Sequence, residues 1–443
     1  MPGGSEVIGV DALCAKRSSA FVLAIAALYG ACAAFASDGG ARKFDPKAHA
    51  VISTDRADGR YVSTRGVVQE MLRHDRPQLA FDPSFTPEQF AEWRGKVRVK
   101  LREVLGFPNL PPAPEPKFLG RVKREGYSVE KWEHYPMPSA AVPFLMIIPD
   151  GVTAEKPAPA VLCMPGTHLT KESLAGEPEL DPAFFSPKFY EENRMALKYA
   201  REGIVAVAVD NPGFGETSDL VTATGDPFLA HHDVQTFTQQ LFGFGWSYMG
   251  YAAFVNDRLL ERMRKDARID RKRIATSGHS LGAWMAGYLA VLNEDVVAAV
   301  MNQGIYNWRE AGKVRTRPDD KGHRPSTWGA KFFIPGLYRY FDHPDIQAAI
   351  APRPALYCEG VPERDRQKIY IPAYRIAGAP QNLKIVPFEK YKDDASRFCG
   401  DLPEGILTDD EYWGYNSNDA PQHYFKGAVA VPWLKCVLRG ETP

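Results

Sequence analysis

Residues Gly278-His279-Ser280-Leu281-Gly282 set a serine between two glycines, where an apolar strand gives way to a helix. Arg273–Ser277 reads as the strand and Ala283–Leu292 as the helix. A serine at such a corner is held in a strained backbone conformation, with its hydroxyl lifted above the sheet edge. A Cβ at either glycine would crowd the turn. The Leu281 amide opens the helix and points to where a tetrahedral oxyanion would develop. The chemistry this predicts is acyl transfer through Ser280. A second candidate, Gly245-Trp246-Ser247-Tyr248-Met249, fails the spacing and lies inside a helical pattern.

A serine nucleophile needs a base to take its proton and an acid to hold that base. Ten histidines are present, and only His323, His343 and His423 follow Ser280. His423 alone lies beyond the last expected strand, at a loop-to-helix junction, and is the expected base. For the acid, the loop after Ala351–Cys358 offers Glu359, Glu363 and Asp365. Glu359 still belongs to the strand end, so Glu363 is preferred and Asp365 comes next. Arg364 and Arg366 could neutralise either one. A second oxyanion donor is expected from Cys163–His168, by the amide of Gly166 or Thr167, because Pro165 has no N–H. His168 could line the substrate site, and the corner Asp210–Glu216 could shape its wall.

The elements that must position these groups follow from the pattern of apolar runs. Thr86-Pro87-Glu88-Gln89 supplies a capping box for a helix reaching toward Gly106. Strands at Lys117–Arg124, Tyr127–Tyr135 and Val142–Pro149 read as an antiparallel meander. Strands and helices then alternate. The strands are Ala158–Met164, Ile204–Val209, Arg273–Gly278, Val296–Asn302, Pro354–Cys358 and Leu383–Phe388. The helices include Phe189–Glu202, a face from Tyr248 to Met263, and Val429–Leu438. This order implies a mostly parallel sheet covered on both faces. Aromatic residues gather in Phe214–Phe254 and in an insertion from Tyr306 to Pro344, both candidates for the mouth of a site.

Basic and acidic residues number 54 each, so nothing points to nucleic acid or an anionic membrane surface. Lys16 and Arg17 precede an apolar run to Ala36, and Ala34-Phe35-Ala36 offers a cleavage site before Ser37. Residues 1–36 therefore read as an export signal, giving a secreted or periplasmic protein with no stable membrane span once it is removed. Cys163 and Cys358 fall in expected strands as inert thiols, whereas Cys399 and Cys436 could form a disulfide. No spacing suggests a metal site or a cofactor.

The 278–282 run, the Ala351-Pro352-Arg353-Pro354 lead-in, the Asp210–Gly215 corner and the N-terminal helix-plus-meander resemble one branch of the α/β-hydrolases. This is the dienelactone-hydrolase-like, acetyl-xylan-esterase-like group, and the resemblance spans roughly residues 86–440. It implies an α/β-hydrolase fold with a mostly parallel central sheet, helices on both faces and an N-terminal helical and meander extension. The expected organisation is a signal at 1–36, an extension at 37–116 and a catalytic domain at 117–443. The implied activity is that of a Ser/acid/His carboxylesterase acting on a small-molecule or carbohydrate ester. Two features depart from the branch: Pro165-Gly166 stands where His-Gly is expected, and the stretch before His423 is long. A serine peptidase of the prolyl-oligopeptidase type shares the corner, but no blade-like repeat precedes the meander. A non-catalytic carbohydrate-binding homologue is the remaining alternative.

Overall fold

The computed structural model describes residue 60 and residues 65–441, apart from 168, 178–185, 227–228, 305–306, 315–328, 403–406, 408 and 420–422. The expected export signal lies outside the described residues, as do His168, His323 and Phe228. Residues 57–443 form one compact unit.

Among the described residues, nine strands build one sheet. Its spatial order is β1 (Lys117–Arg124), β2 (Tyr127–Met137), β3 (Ala140–Pro149), β5 (Val205–Val209), β4 (Ala158–Met164), β6 (Ile269–His279), β7 (Val296–Asn302), β8 (Ala355–Cys358) and β9 (Leu383–Val386). β1, β2 and β3 form the antiparallel meander, and β3 joins β5 antiparallel. Every later pairing is parallel.

The parallel strands are apolar runs because both faces are covered. Alternate residues enter two separate cores: Leu162, Val207 and Met301 pack on one side, and Val161, Ala206 and Val300 on the other. An early helix, α1 (Arg65–His74), precedes α2 (Pro87–Val104). The expected capping box is formed at the start of α2, which buries Phe90, Trp93, Val97 and Leu101 against the first core.

The single helix expected over Phe189–Glu202 is instead two, Pro187–Asn193 and α3 (Met195–Arg201), with Arg194 at ψ 53° between them. Asn193 donates to the Phe189 carbonyl at 2.8 Å and accepts the Phe425 amide at 3.0 Å. That side-chain bonding competes with a continuous helix and ties the break to the C-terminal segment. Cys399 and Cys436 are free thiols, so the disulfide considered from sequence is not formed. Cys399 accepts a long contact from Gln367 instead. Cys163 and Cys358 are buried, as expected. Among the described residues no helix is long and apolar enough to cross a membrane, and no group of side chains could hold a metal ion.

Candidate active site

Ser280 directly follows β6 and opens α4 (Leu281–Leu292). Its φ is 54° and ψ −116°, a sparsely populated region for a residue with a side chain. The glycines permit the corner. A Cβ on Gly278 would stand 1.9 Å from the Gly282 carbonyl oxygen, and one on Gly282 would stand 2.1 Å from the Met164 oxygen. The Leu281 amide occupies the first turn of α4, where N–H groups have no intrahelical acceptor.

Across the corner lies Pro165-Gly166, immediately after β4. A Cβ on Gly166 would be 2.9 Å from His279 Nδ1 and 3.3 Å from Ser280 Cβ, so this backbone is pressed against the serine. Asn211 Nδ2 holds the segment in place by donating to the carbonyls of Pro165 and Gly166, at 3.1 Å each. Asn211 is in turn anchored beside a buried cluster. Lys171 Nζ reaches Asp210 and Glu172 at 2.8 Å and Glu216 at 2.7 Å. Burial works against the Lys171 charge, but Asp210 and the other two carboxylates outweigh it and raise its pKa. The Asp210 corner is thus a structural brace for the loop beside the serine.

His423 Nε2 lies 2.8 Å from Ser280 Oγ. Part of His423 reaches solvent, yet the protein packed around its ring pushes the imidazole down to about 4, and the Lys426 charge adds to this. The imidazole is therefore neutral near pH 7, the form able to accept a proton. The loop carrying it is clamped by Asn302, whose Oδ1 accepts the Lys426 amide at 2.7 Å while Nδ2 donates to the Tyr424 carbonyl at 3.3 Å.

The expected acids lie elsewhere. Glu363 is taken up by Arg366 and Arg397 at 2.7 Å each and by Gln367 at 3.0 Å. Burial raises its carboxyl pKa, but Arg397 and Arg366 outweigh that and hold it below the ordinary value. Asp365 is buried beside Arg364 and Asn307, and burial raises it to about 6. Neither touches His423. The arginines Arg366 and Arg397 hold Glu363 in an ion-pair network.

Glu359, set aside as the end of a strand, sits differently. It directly follows β8 with φ 62°, accepts a hydrogen bond from Gln303 Nε2, and faces Lys426 Nζ at 3.4 Å. Burial raises its carboxyl to about 7, against the pull of Lys426 and Gln303. Gln303 Oε1 lies 3.4 Å from His279 Nε2, and the His279 ring packs 4.7 Å from that of His423. Burial and then His423 keep His279 well below its usual pKa, so it is neutral too. Among the described residues four non-glycines have positive φ, and three are Ser280, Gln303 and Glu359. Sequence reasoning missed Gln303, Asn302 and Lys426. The available signal was position alone, each lying at a strand end or beside His423.

A strained serine at the carboxyl edge of a mostly parallel sheet, within reach of a neutral histidine, defines an α/β-hydrolase. The chain belongs to the Abhydrolase family, whose model matches residues 43–436. It is similar to the crystal structure of a Bacteroides fragilis protein provisionally named an acetyl xylan esterase. That similarity has 39% identity and a TM-score of 0.79, and covers 89% of this chain and 100% of the other. A more distant likeness, with 13% identity and a TM-score of 0.49, is to a glucuronoyl esterase from Teredinibacter turnerae, covering 88% of this chain and 93% of that one. Comparison with curated proteins gives no match.

Proposed function

We propose that this chain is a serine carboxylesterase that removes acyl groups from an acylated carbohydrate. The observation carrying the proposal is the 2.8 Å contact between His423 Nε2 and the hydroxyl of Ser280. Ser280 Oγ attacks the ester carbonyl as its proton passes to His423 Nε2. The oxyanion is received by the amide of Leu281 and by that of Gly166 or Thr167, and each such donor contributes on the order of 10²–10³ in rate. His423 returns the proton to the leaving alcohol. A water molecule then repeats the sequence on the acyl-enzyme, its proton going to His423 and the carboxylic acid leaving Ser280.

Glu359 is the carboxylate assigned to this site in place of Glu363 and Asp365. It acts as a positioning residue, through Lys426 on one side and Gln303 with His279 on the other. The carbohydrate substrate class is supported by the likeness to the Bacteroides protein across nearly the whole chain. Residues 1–36 are assigned to export, residues 37–116 to the N-terminal extension and 117–443 to the catalytic domain.

The test is hydrolysis of a small activated acetate ester and of acetylated xylan. Ser280→Ala and His423→Ala should each lower kcat/KM by about 10⁴-fold or more. Undiminished hydrolysis by Ser280→Ala would remove the proposal. Failure of the native protein to react with a fluorophosphonate probe would favour a binding protein instead.

A further inference from the structure

The aromatic insertion expected to border the site contains a lysine that the mechanism above does not use. Lys331 lies in a short 3-10 turn, Ala330–Phe332, and only 8% of it is exposed. Its ammonium stands 5.1 Å from the centre of the Phe214 ring and 5.2 Å from that of Phe332. Among the described residues no carboxylate lies within ion-pair distance of it. The other deeply buried lysine, Lys171, has three carboxylates around it. Ring faces attract a cation but do not replace its lost hydration in full. Burial accordingly brings the Lys331 pKa down to about 8, which leaves it mostly charged at pH 7.

Its two ring partners connect it to the catalytic edge. Phe332 packs edge-on against Trp284, one turn along the helix that Ser280 opens, with ring centres 5.0 Å apart. Phe214 donates its amide to the carbonyl of Asn211, the residue that holds Pro165-Gly166 against the serine. Lys331 therefore sits between the insertion and the two segments that frame Ser280. A desolvated cation with no counter-ion among the described residues is a candidate receptor for an anion.

We infer that Lys331 binds an anionic group carried by the substrate's alcohol portion, so that the preferred substrate is an acylated acidic sugar. This inference rests on the esterase reading above and narrows its substrate class. The shared chemistry is a carboxylate or a sulfate ester on the sugar, since one ammonium can pair with either.

The experiment compares kcat/KM on three acetylated methyl glycosides: a neutral xyloside, a glucuronoside with a free carboxylate, and a sulfated xyloside. The native enzyme should favour at least one acidic substrate, and whichever is favoured identifies the anion. Lys331→Met should reduce that preference by about tenfold to a hundredfold, the usual range for a hydrogen bond to a charged group, while the neutral substrate and p-nitrophenyl acetate are unaffected. Lys331→Arg should retain most of it. An equal ratio of acidic to neutral rates in the native and Lys331→Met proteins overturns the inference, because Lys331 would then be only a packed stem. If neither sugar acetate nor p-nitrophenyl acetate is hydrolysed, the esterase reading fails separately. Calorimetry with glucuronate and xylose sulfate then decides the lysine: binding by the native protein but not by Lys331→Met supports it, and equal or absent binding overturns it.

Discussion

The Ser280 amide donates to the Asn302 carbonyl at 2.8 Å, which carries the β6–β7 ladder one residue past the end of β6. The same bond repeats across the sheet. Gln303 donates to the Cys358 carbonyl at 3.0 Å, and Glu359 to that of Val386 at 2.6 Å. Each donor is the first residue after its strand, and each has positive φ. The sheet edge therefore imposes three strained corners in a row, and the strain coincides with the proposed nucleophile and with the polar chain beside it. Strain of this kind persists only where the surrounding structure over-determines it.

Asn302 is the hinge of that arrangement, because its side chain also clamps the His423 loop. Asn302→Ala should leave KM nearly unchanged and lower kcat by about tenfold to a hundredfold, as the imidazole loses its registration with Ser280. Denaturant melts should show a stability loss of about 1–3 kcal/mol from the lost buried hydrogen bonds. An unchanged kcat would show that the loop is positioned by other contacts.

The pH profile should carry two steps. His423 has its imidazole depressed to about 4, so the base stays neutral, and activity persists, until the pH falls toward that value. Glu359 has its carboxyl raised to about 7, so its ionised form is lost earlier as the pH falls through neutrality. A partial decline of kcat/KM near pH 7 should precede complete loss near pH 4. Removing the Lys426 charge with Lys426→Met should move both steps upward, since that charge disfavours imidazolium and favours carboxylate. Steady-state kinetics between pH 3.5 and about 9 would read this directly.

The choice of acid can be settled by parallel substitutions. Glu359→Gln should lower kcat by about 10²–10⁴-fold and abolish the upper pH step. Glu363→Gln should act on stability instead, because it leaves Arg366 and Arg397 without their carboxylate. A larger kcat loss in Glu363→Gln than in Glu359→Gln, measured at equal folded fraction, would reverse the assignment.

The sheet was legible in the sequence because its strands are short apolar runs, and their boundaries shift by only a few residues: Arg273–Gly278 becomes Ile269–His279 and Leu383–Phe388 becomes Leu383–Val386. The corner at Ser280 was legible because only glycine fits beside it. The carboxylate proposed for the site was not, because the local sequence offers three carboxylates within seven residues and only the tertiary arginines distinguish their surroundings. Arg397 lies far along the chain from Glu363, and no spacing rule predicts that they meet. The helix break at Asn193 was hidden for the same reason, since its partner, Phe425, is remote in sequence.

The Ala351-Pro352-Arg353-Pro354 lead-in has a structural explanation that makes a prediction of its own. Arg353 donates to the carbonyls of Ala290, Asn293 and Val296, joining the end of the Leu281–Leu292 helix to the start of β7. Burial lowers its pKa to about 10, still charged at neutral pH. Arg353→Met should cost about 2–4 kcal/mol in denaturant melts, from charge-assisted bonds lost to buried carbonyls. The folded fraction should keep near-native kcat, because the bonds lie at the end of the helix away from Ser280.

Gly166→Ala tests the contact between the Pro165-Gly166 segment and Ser280. The added methyl would meet His279 Nδ1 at 2.9 Å and Ser280 Cβ at 3.3 Å. Neither neighbour can yield cheaply: His279 is buried between Gln303 and His423, and Ser280 is locked by its own strained corner. The backbone of residues 165–167 must therefore withdraw, taking its amides away from the developing oxyanion. Activity should fall by about 10²–10³-fold with KM little changed, the signature of a donor lost in the transition state alone. A fluorophosphonate should still label Ser280, but more slowly. Native kcat in Gly166→Ala would mean that the second oxyanion donor comes from another segment.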